Sequence, residues 1–169
     1  MTARIAAIVH ADRRVADVLV GEFATDLIRA GRDVHGLIQW RPPEGKGGTV
    51  LIDLHDSSRH PLFQNLGAGS ESCSVDAGSL SNAGVALRRA LEARADLAIA
   101  NRFGPLEASG GGLAAEMLAV MAEGIPFLTI VADDHLPAWR HFTGAAGVEL
   151  PARREALDVW FSSLAREPA

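Results

Sequence analysis

Asn101, Arg102 and Glu107 follow the apolar stretch Asp96-Leu97-Ala98-Ile99-Ala100 and precede the run Ser109-Gly110-Gly111-Gly112. A guanidinium at the end of a strand can fork onto a phosphate or another oxyanion. A glycine run that opens a helix can turn backbone N–H groups toward the same charge, aided by the helix dipole. The structural alternative is that Asn101 bonds loop backbone, Arg102 pairs with Glu107 and the glycines form a hinge. In the ligand reading Glu107 orients Arg102, and the set is Asn101, Arg102, Gly104, Glu107, Gly110 and Gly112. Ser70 joins it from Gly67-Ala68-Gly69-Ser70-Glu71-Ser72-Cys73, a loop rich in neutral donors that also reads as plain surface.

A second candidate group is His10-Ala11-Asp12-Arg13-Arg14, after the first apolar run. A phosphate-binding loop at this place needs glycines, so that backbone amides can close around phosphates, and a lysine reaching the terminal phosphates. The turn has neither, and the only lysine, Lys46, lies in another element. Asp12 reads as a helix cap, and His10 as a titrating group that could serve as a general base. Asn101-Arg102 likewise stands where an acidic pair would hold magnesium. An amide lacks the charge that a hard cation requires, and a guanidinium repels it. The six histidines show no tight ligand spacing, His55 and His60 flanking Asp56 being a weak hint, so no metal and no cofactor are expected. No G-x-S-x-G elbow occurs, and the single cysteine, Cys73, excludes an internal disulfide and a cysteine metal cluster.

These loops need a scaffold. The chain has 169 residues, 48% of them hydrophobic, which fits one domain over 1–169 with a substantial core. Its net charge of -5 argues against nucleic-acid binding, although arginines outnumber lysine 15 to one. No apolar run approaches the roughly 20 residues that span a bilayer, and Met1-Thr2-Ala3-Arg4 leads straight into a strand pattern, so a cytoplasmic protein is expected.

Strand patterns alternate with helical periodicity throughout, as in a mostly parallel sheet with covering helices. Strands are expected at Arg4–Val9, Val34–Trp40, Thr49–His55, Asp96–Ala100 and Pro126–Ala132, the second and third forming a hairpin. Helices are expected from Arg13 to Gly31, with Val15, Val18, Leu19, Phe23, Leu27 and Ile28 at helical spacing, and over Ser79–Ala93, Gly112–Glu123, His135–Thr143 and Arg153–Leu164. Residues 56–75 read as a long ordered loop. Trp139 and Trp160 read as core or interface anchors, Trp160 and Phe161 forming a possible partner-binding stripe.

Several of these stretches taken together, in order, resemble one family. They are Gly36-Leu37-Ile38-Gln39, Ile52-Asp53-Leu54, Gly67-x-Gly69-Ser70-x-x-Cys73-x-x-Asp76, Asn101-Arg102-Phe103-Gly104-x-x-Glu107-x-x-Gly110-x-Gly112, Gly124-Ile125-Pro126 and Ala138-Trp139. The family is the domain of unknown function 2478, whose bacterial members are often encoded beside molybdate-transport genes and are sometimes labelled molybdate-transporter ATP-binding proteins. The layout is similar, more distantly, to small P-loop nucleoside-triphosphatases, in which an acidic pair would replace Asn101-Arg102. Within the family pattern, Arg102 stands where lysine is expected and Gly111 where a basic residue is.

The resemblance implies a three-layer α/β/α fold, a degenerate P-loop NTPase-like domain that has lost ATP hydrolysis. The leading expectation is a binding or accessory protein for an oxyanion or phosphorylated ligand linked to molybdate metabolism. The alternative is a phosphohydrolase or nucleoside-triphosphatase-like enzyme using His10 or Asp12 as base. It requires those groups to converge on Arg102. Expected partners are a small anion and a second copy of the chain or a transporter component.

Overall fold

The computed structural model describes residues 3–43, 48–65, 73–75 and 77–165. Ser70 and Lys46 lie outside the described residues. The chain enters through β1 (Ile5–His10), whose apolar residues are covered on both faces, as befits an interior strand. Asp12 then caps α1 (Arg13–Arg29), its Oδ1 accepting from the Arg14 amide at 2.9 Å. The helix ends on Gly31 at φ +83°. Gly31 and Arg32 donate back to the carbonyls of Ile28 and Leu27, closing a Schellman turn. Only half of the apolar α1 periodicity faces inward: Ala16, Val20, Phe23 and Ala24 are buried, whereas Val15 and Val18 are exposed.

A seven-stranded sheet follows the order β4-β3-β2-β7-β8-β1-β9. Its strands are β2 (Val34–Trp40), β3 (Val50–Asp53), β4 (Arg59–Pro61), β7 (Leu97–Ile99), β8 (Phe127–Ala132) and β9 (Val148–Pro151), with β1. The five from β2 to β9 run parallel, and β3 and β4 form an antiparallel wing. The β2–β3 hairpin is as expected, Trp40 facing Val50. Residues 56–75 differ from a single long loop: β4 extends the sheet, and β5 (Phe63–Asn65) pairs with β6 (Cys73–Val75) in a separate ribbon. Three-residue strands offer too few positions for alternation to show. Strand β9 was also unexpected; Val148 and Leu150 alternate with Glu149 and Pro151, and proline is tolerated because β9 is an edge.

Helices α1 and α6 (Arg154–Leu164) cover one face, with Phe23 set edge-on to Phe161 at 6.0 Å. The other face carries α2 (Ala77–Ala93), α4 (Ala114–Ala122) and α5 (Leu136–Phe142), while α3 (Pro105–Ala108) packs against α4 and α5. Each face has its own core. Leu37, Leu87, Phe103, Met117, Phe127 and Trp139 pack on the α2 side, and Ile8, Val20, Phe23, Ile99, Leu128 and Trp160 on the α1 side. Trp160 is therefore core rather than a docking stripe, its Nε1 donating to the Ala3 carbonyl at 2.8 Å and Phe161 packing beside it. Among the described residues, no helix is long and apolar enough to cross a membrane.

The register admits only glycine at position 36. Gly36 pairs with Ile99 at φ +123°, and a Cβ there would strike the Ile99 backbone carbonyl. Urea denaturation of Gly36→Ala is expected to show a loss of roughly 2–4 kcal/mol, from strain plus displacement of β7. Gly48→Ala, where the methyl meets open space, is expected to stay within about 0.5 kcal/mol. Equal midpoints for the two variants would refute this account of the β2–β7 contact.

Candidate functional site

The C-terminal ends of β1, β7 and β8 meet at one edge of the sheet. The connections from β1 and β8 leave toward opposite faces, which is where open α/β sheets form a crevice. Strand β7 stops at Ile99, but the chain stays tied to β8: Ala100 donates to Leu128 O at 3.0 Å and Phe103 to Ile130 O at 3.0 Å. Between those ties the backbone bends at Asn101. Strict alternation would send Arg102 to the α2 side with Ala98 and Ala100. The bend resets the parity, placing Phe103 in the α2-side core against Trp139 and Phe142, and turning Arg102 toward α1.

Arg102 is held from two sides. Its Nη2 donates to Asp17 Oδ1 at 2.9 Å, and its Nη1 donates to His10 Nε2 at 3.3 Å. Asp17 sits on the second turn of α1 and is 8% exposed. Arg41, just past β2, brings its Nε to 3.9 Å from Asp17 Oδ2, within Coulombic range but beyond a hydrogen bond. Beneath them Asn101 Nδ2 donates to Gln39 Oε1 at 3.1 Å, both side chains buried. Asn101 thus bonds a side chain of β2, not loop backbone.

Glu107 does not orient Arg102. Its two oxygens accept from the amides of Gly104, at 3.1 Å, and Leu113, at 3.3 Å, wrapping the segment around a buried carboxylate. The glycines serve that wrapping. Gly112 adopts φ +55°, and a Cβ on it would strike Glu107 Oε1. The Gly110 and Gly111 amides donate to the carbonyls of Glu107 and Leu106. The expected nest is thus occupied by the protein's own carboxylate and carbonyls, and Gly104, Glu107, Gly110 and Gly112 form a structural unit beside Arg102. Asp12 likewise is engaged as the cap of α1 and is exposed, whereas His10 is buried against Arg102. Of the two candidate bases, only His10 converges on the guanidinium.

Burial sets the electrostatics. It pushes the Asp17 carboxyl above its ordinary range despite the nearby Arg102 and Arg41, and pushes Arg102 down despite Asp17. His10 is lowered by burial first and by the Arg102 charge second, so it is neutral near pH 7. Since Nε2 accepts from Arg102, the ring proton lies on Nδ1. Glu107 is raised by burial, opposed by the amides that it binds.

Among the described residues, six buried side-chain polar atoms lack a partner, and four belong to this group: His10 Nδ1, Asp17 Oδ2, Arg41 Nε and Arg102 Nε. Buried polar atoms without partners are rare, and their concentration at the strand ends sets this group apart from the rest of the described residues. A cleft of about 660 Å³ between α1 and the β2–β3 wing adjoins it. Asp17, Arg14 and Arg41 lie on its wall with Ile38, Ile52 and the half-exposed Trp40. Asp17 and Arg41 went unrecognised in the sequence. The available signal was an acidic residue at position 17, on the α1 face that carries Ala16, Val20 and Ala24. Among the described residues, no group of three or more His, Cys, Asp or Glu side chains is placed to hold a metal.

Comparison with known proteins agrees with this architecture. The chain is 37% identical over 161 residues to the molybdenum import ATP-binding protein ModC 2 of Bradyrhizobium diazoefficiens, a match covering 94% of this chain but 18% of that protein. Among solved structures it resembles THEP1 from the hyperthermophile Aquifex aeolicus, with TM-score 0.67 and 14% identity over 95% of this chain and 96% of that one. It also resembles a human cancer-related nucleoside triphosphatase, with TM-score 0.62 and 14% identity over 95% and 93%. At that identity the likeness establishes the fold, the α/β architecture of small P-loop nucleoside-triphosphatases. A family model described as protein of unknown function (DUF2478) matches residues 5–160, so the chain belongs to that family.

Proposed function

We propose that this chain is a cytoplasmic accessory protein that binds a small anion, an oxyanion or a phosphorylated ligand, at the C-terminal edge of its sheet without splitting a nucleoside triphosphate. The observation that carries the reading is the Arg102 guanidinium, fixed by Asp17 and His10, with its own Nε and that of Arg41 unpaired beside it. Fixed N–H donors around a fork are what an oxyanion needs. The turn from β1 to α1 supports the absence of triphosphate cleavage. It is two residues long, Ala11 and Asp12, and the Asp12 carboxylate already takes a first-turn amide. The name of the Bradyrhizobium relative supports a link to molybdenum uptake.

A second reading, a phosphohydrolase, is favoured by one contact. The neutral His10 lies 3.3 Å from Arg102, and its Nδ1 has no partner, so it could pass a proton while Arg102 balances charge. Sustained release of phosphate from ATP or GTP with magnesium, lost in His10→Gln, would establish that reading and overturn the first.

Isothermal titration with molybdate, sulfate and phosphate is expected to show binding that weakens by roughly 10- to 100-fold in Arg102→Met. That corresponds to the loss of a charge-assisted fork, on the order of 1.5–3 kcal/mol. Circular dichroism checks that the variant is folded. Unchanged affinity in a folded variant would move the site elsewhere.

The His10 shift gives a second expectation. A bound anion favours the imidazolium and raises a pKa that burial and Arg102 hold down, so binding takes up a proton. Affinity for sulfate, whose charge is constant across the range, is expected to rise as pH falls from about 7.5 to about 5.5 and to rise less steeply in His10→Gln, the remainder belonging to Asp17. A flat wild-type profile would remove His10 from the site.

A further inference from the structure

We propose that the anion site selects a phosphate group that still carries a proton, and that Asp17 is the residue that reads that proton; this rests on the anion-site reading above. The unpaired atoms of the group divide into two kinds. Arg41 Nε, Arg102 Nε and His10 Nδ1 carry hydrogens to donate, whereas Asp17 Oδ2 can only accept. Asp17 is more than nine-tenths buried and lies on the wall of the cleft.

A fully deprotonated tetrahedral dianion such as sulfate or molybdate offers acceptors alone. It can take the two guanidinium Nε–H groups, but it must then set an oxygen against the buried Asp17 carboxylate, where like charges repel across little water. A phosphate that keeps one P–O–H answers both kinds of atom. Its bare oxygens take the N–H groups, and its hydroxyl donates to Asp17 Oδ2 in a charge-assisted bond. Moving the proton to Asp17 instead would weaken the carboxylate's grip on Arg102 at 2.9 Å, so the complex keeps it on the ligand.

Inorganic phosphate carries this group at pH 7, and a phosphomonoester, whose second ionisation lies near pH 6, carries it below about pH 6. The adjoining cleft, floored by Ile38, Ile52 and Trp40, has room for an organic body. Trp40 is 38% exposed, with the Arg59 guanidinium 5.2 Å from its ring centroid.

Isothermal titration of the intact chain at pH 7 with sodium phosphate, sodium sulfate and phenyl phosphate tests the proposal. Phosphate is expected to bind at least about 10-fold more tightly than sulfate. Repeated at about pH 5, where phenyl phosphate and inorganic phosphate both carry a P–O–H, the titration assigns an ester if phenyl phosphate binds more tightly and free phosphate if it binds equally or more weakly. In Asp17→Asn the phosphate-to-sulfate ratio is expected to fall to within about 2-fold. Because that variant also strips Arg102 of its counter-charge, the wild-type ratio is the primary readout. Equal wild-type affinities for phosphate and sulfate overturn the Asp17 proposal and leave the anion site standing. If none of the three binds, the anion-site reading itself fails.

Discussion

The buried ion pair between Asp17 and Arg102 is the constraint around which the strand-end chemistry is arranged. Their side chains are 7% and 18% exposed, so both ions have given up most of their hydration. The pKa directions record the consequence: each partner moves toward its neutral form, the carboxyl up and the guanidinium down, because desolvation exceeds their attraction. A pair of this kind adds little to folding stability compared with packed apolar side chains. What it supplies is position. One partner rides on the second turn of α1 and the other on the bend after β7, so the contact fixes the helix against the sheet edge and holds the guanidinium in one orientation.

That orientation depends on Phe103. Its amide is bonded to β8 and its ring is enclosed by Trp139 and Phe142, so the backbone on the far side of Arg102 cannot rotate freely. The segment from Gly104 to Leu113 then folds around Glu107, whose carboxylate takes the two amides that an external anion would otherwise want. The internal carboxylate thus satisfies that segment's own amides, and unpaired polar atoms gather around the neighbouring Arg102 instead.

The sequence disclosed the scaffold better than the contacts. Continuous apolar runs marked β1, β2 and β8, and Asp12 and Gly31 marked the ends of α1, because such signals are local. The short strands β4, β5, β6 and β9 escaped, since three or four residues cannot display a period. Arg102 and His10 stand out in the sequence from their places at strand ends. The meeting of His10 with Arg102 figures only in the enzyme alternative, and Asp17 and Arg41 do not figure at all. Whether Arg102 turns to Glu107, five residues along, or to Asp17, 85 residues back, depends on the bend at Asn101, which follows from how Phe103 packs. Side-chain parity after a bend is a tertiary property, and no spacing rule carries it.

This chain shares the fold of small nucleoside-triphosphatases, and that fold leaves the strand-end groups to whatever loops the sequence supplies. A sheet whose crossovers diverge beside β1 creates a crevice whatever loop follows that strand. Here the loop is two residues long and ends in a carboxylate that takes a first-turn amide, so the polar groups lining the crevice are mainly side chains. Side chains bring both signs of charge, as Asp17 beside Arg102 and Arg41 demonstrates. A cradle of amides accepts any anion of the right size. In the proposed site, a guanidinium locked to a carboxylate would discriminate among anions by where their protons lie, as a cradle of amides would not.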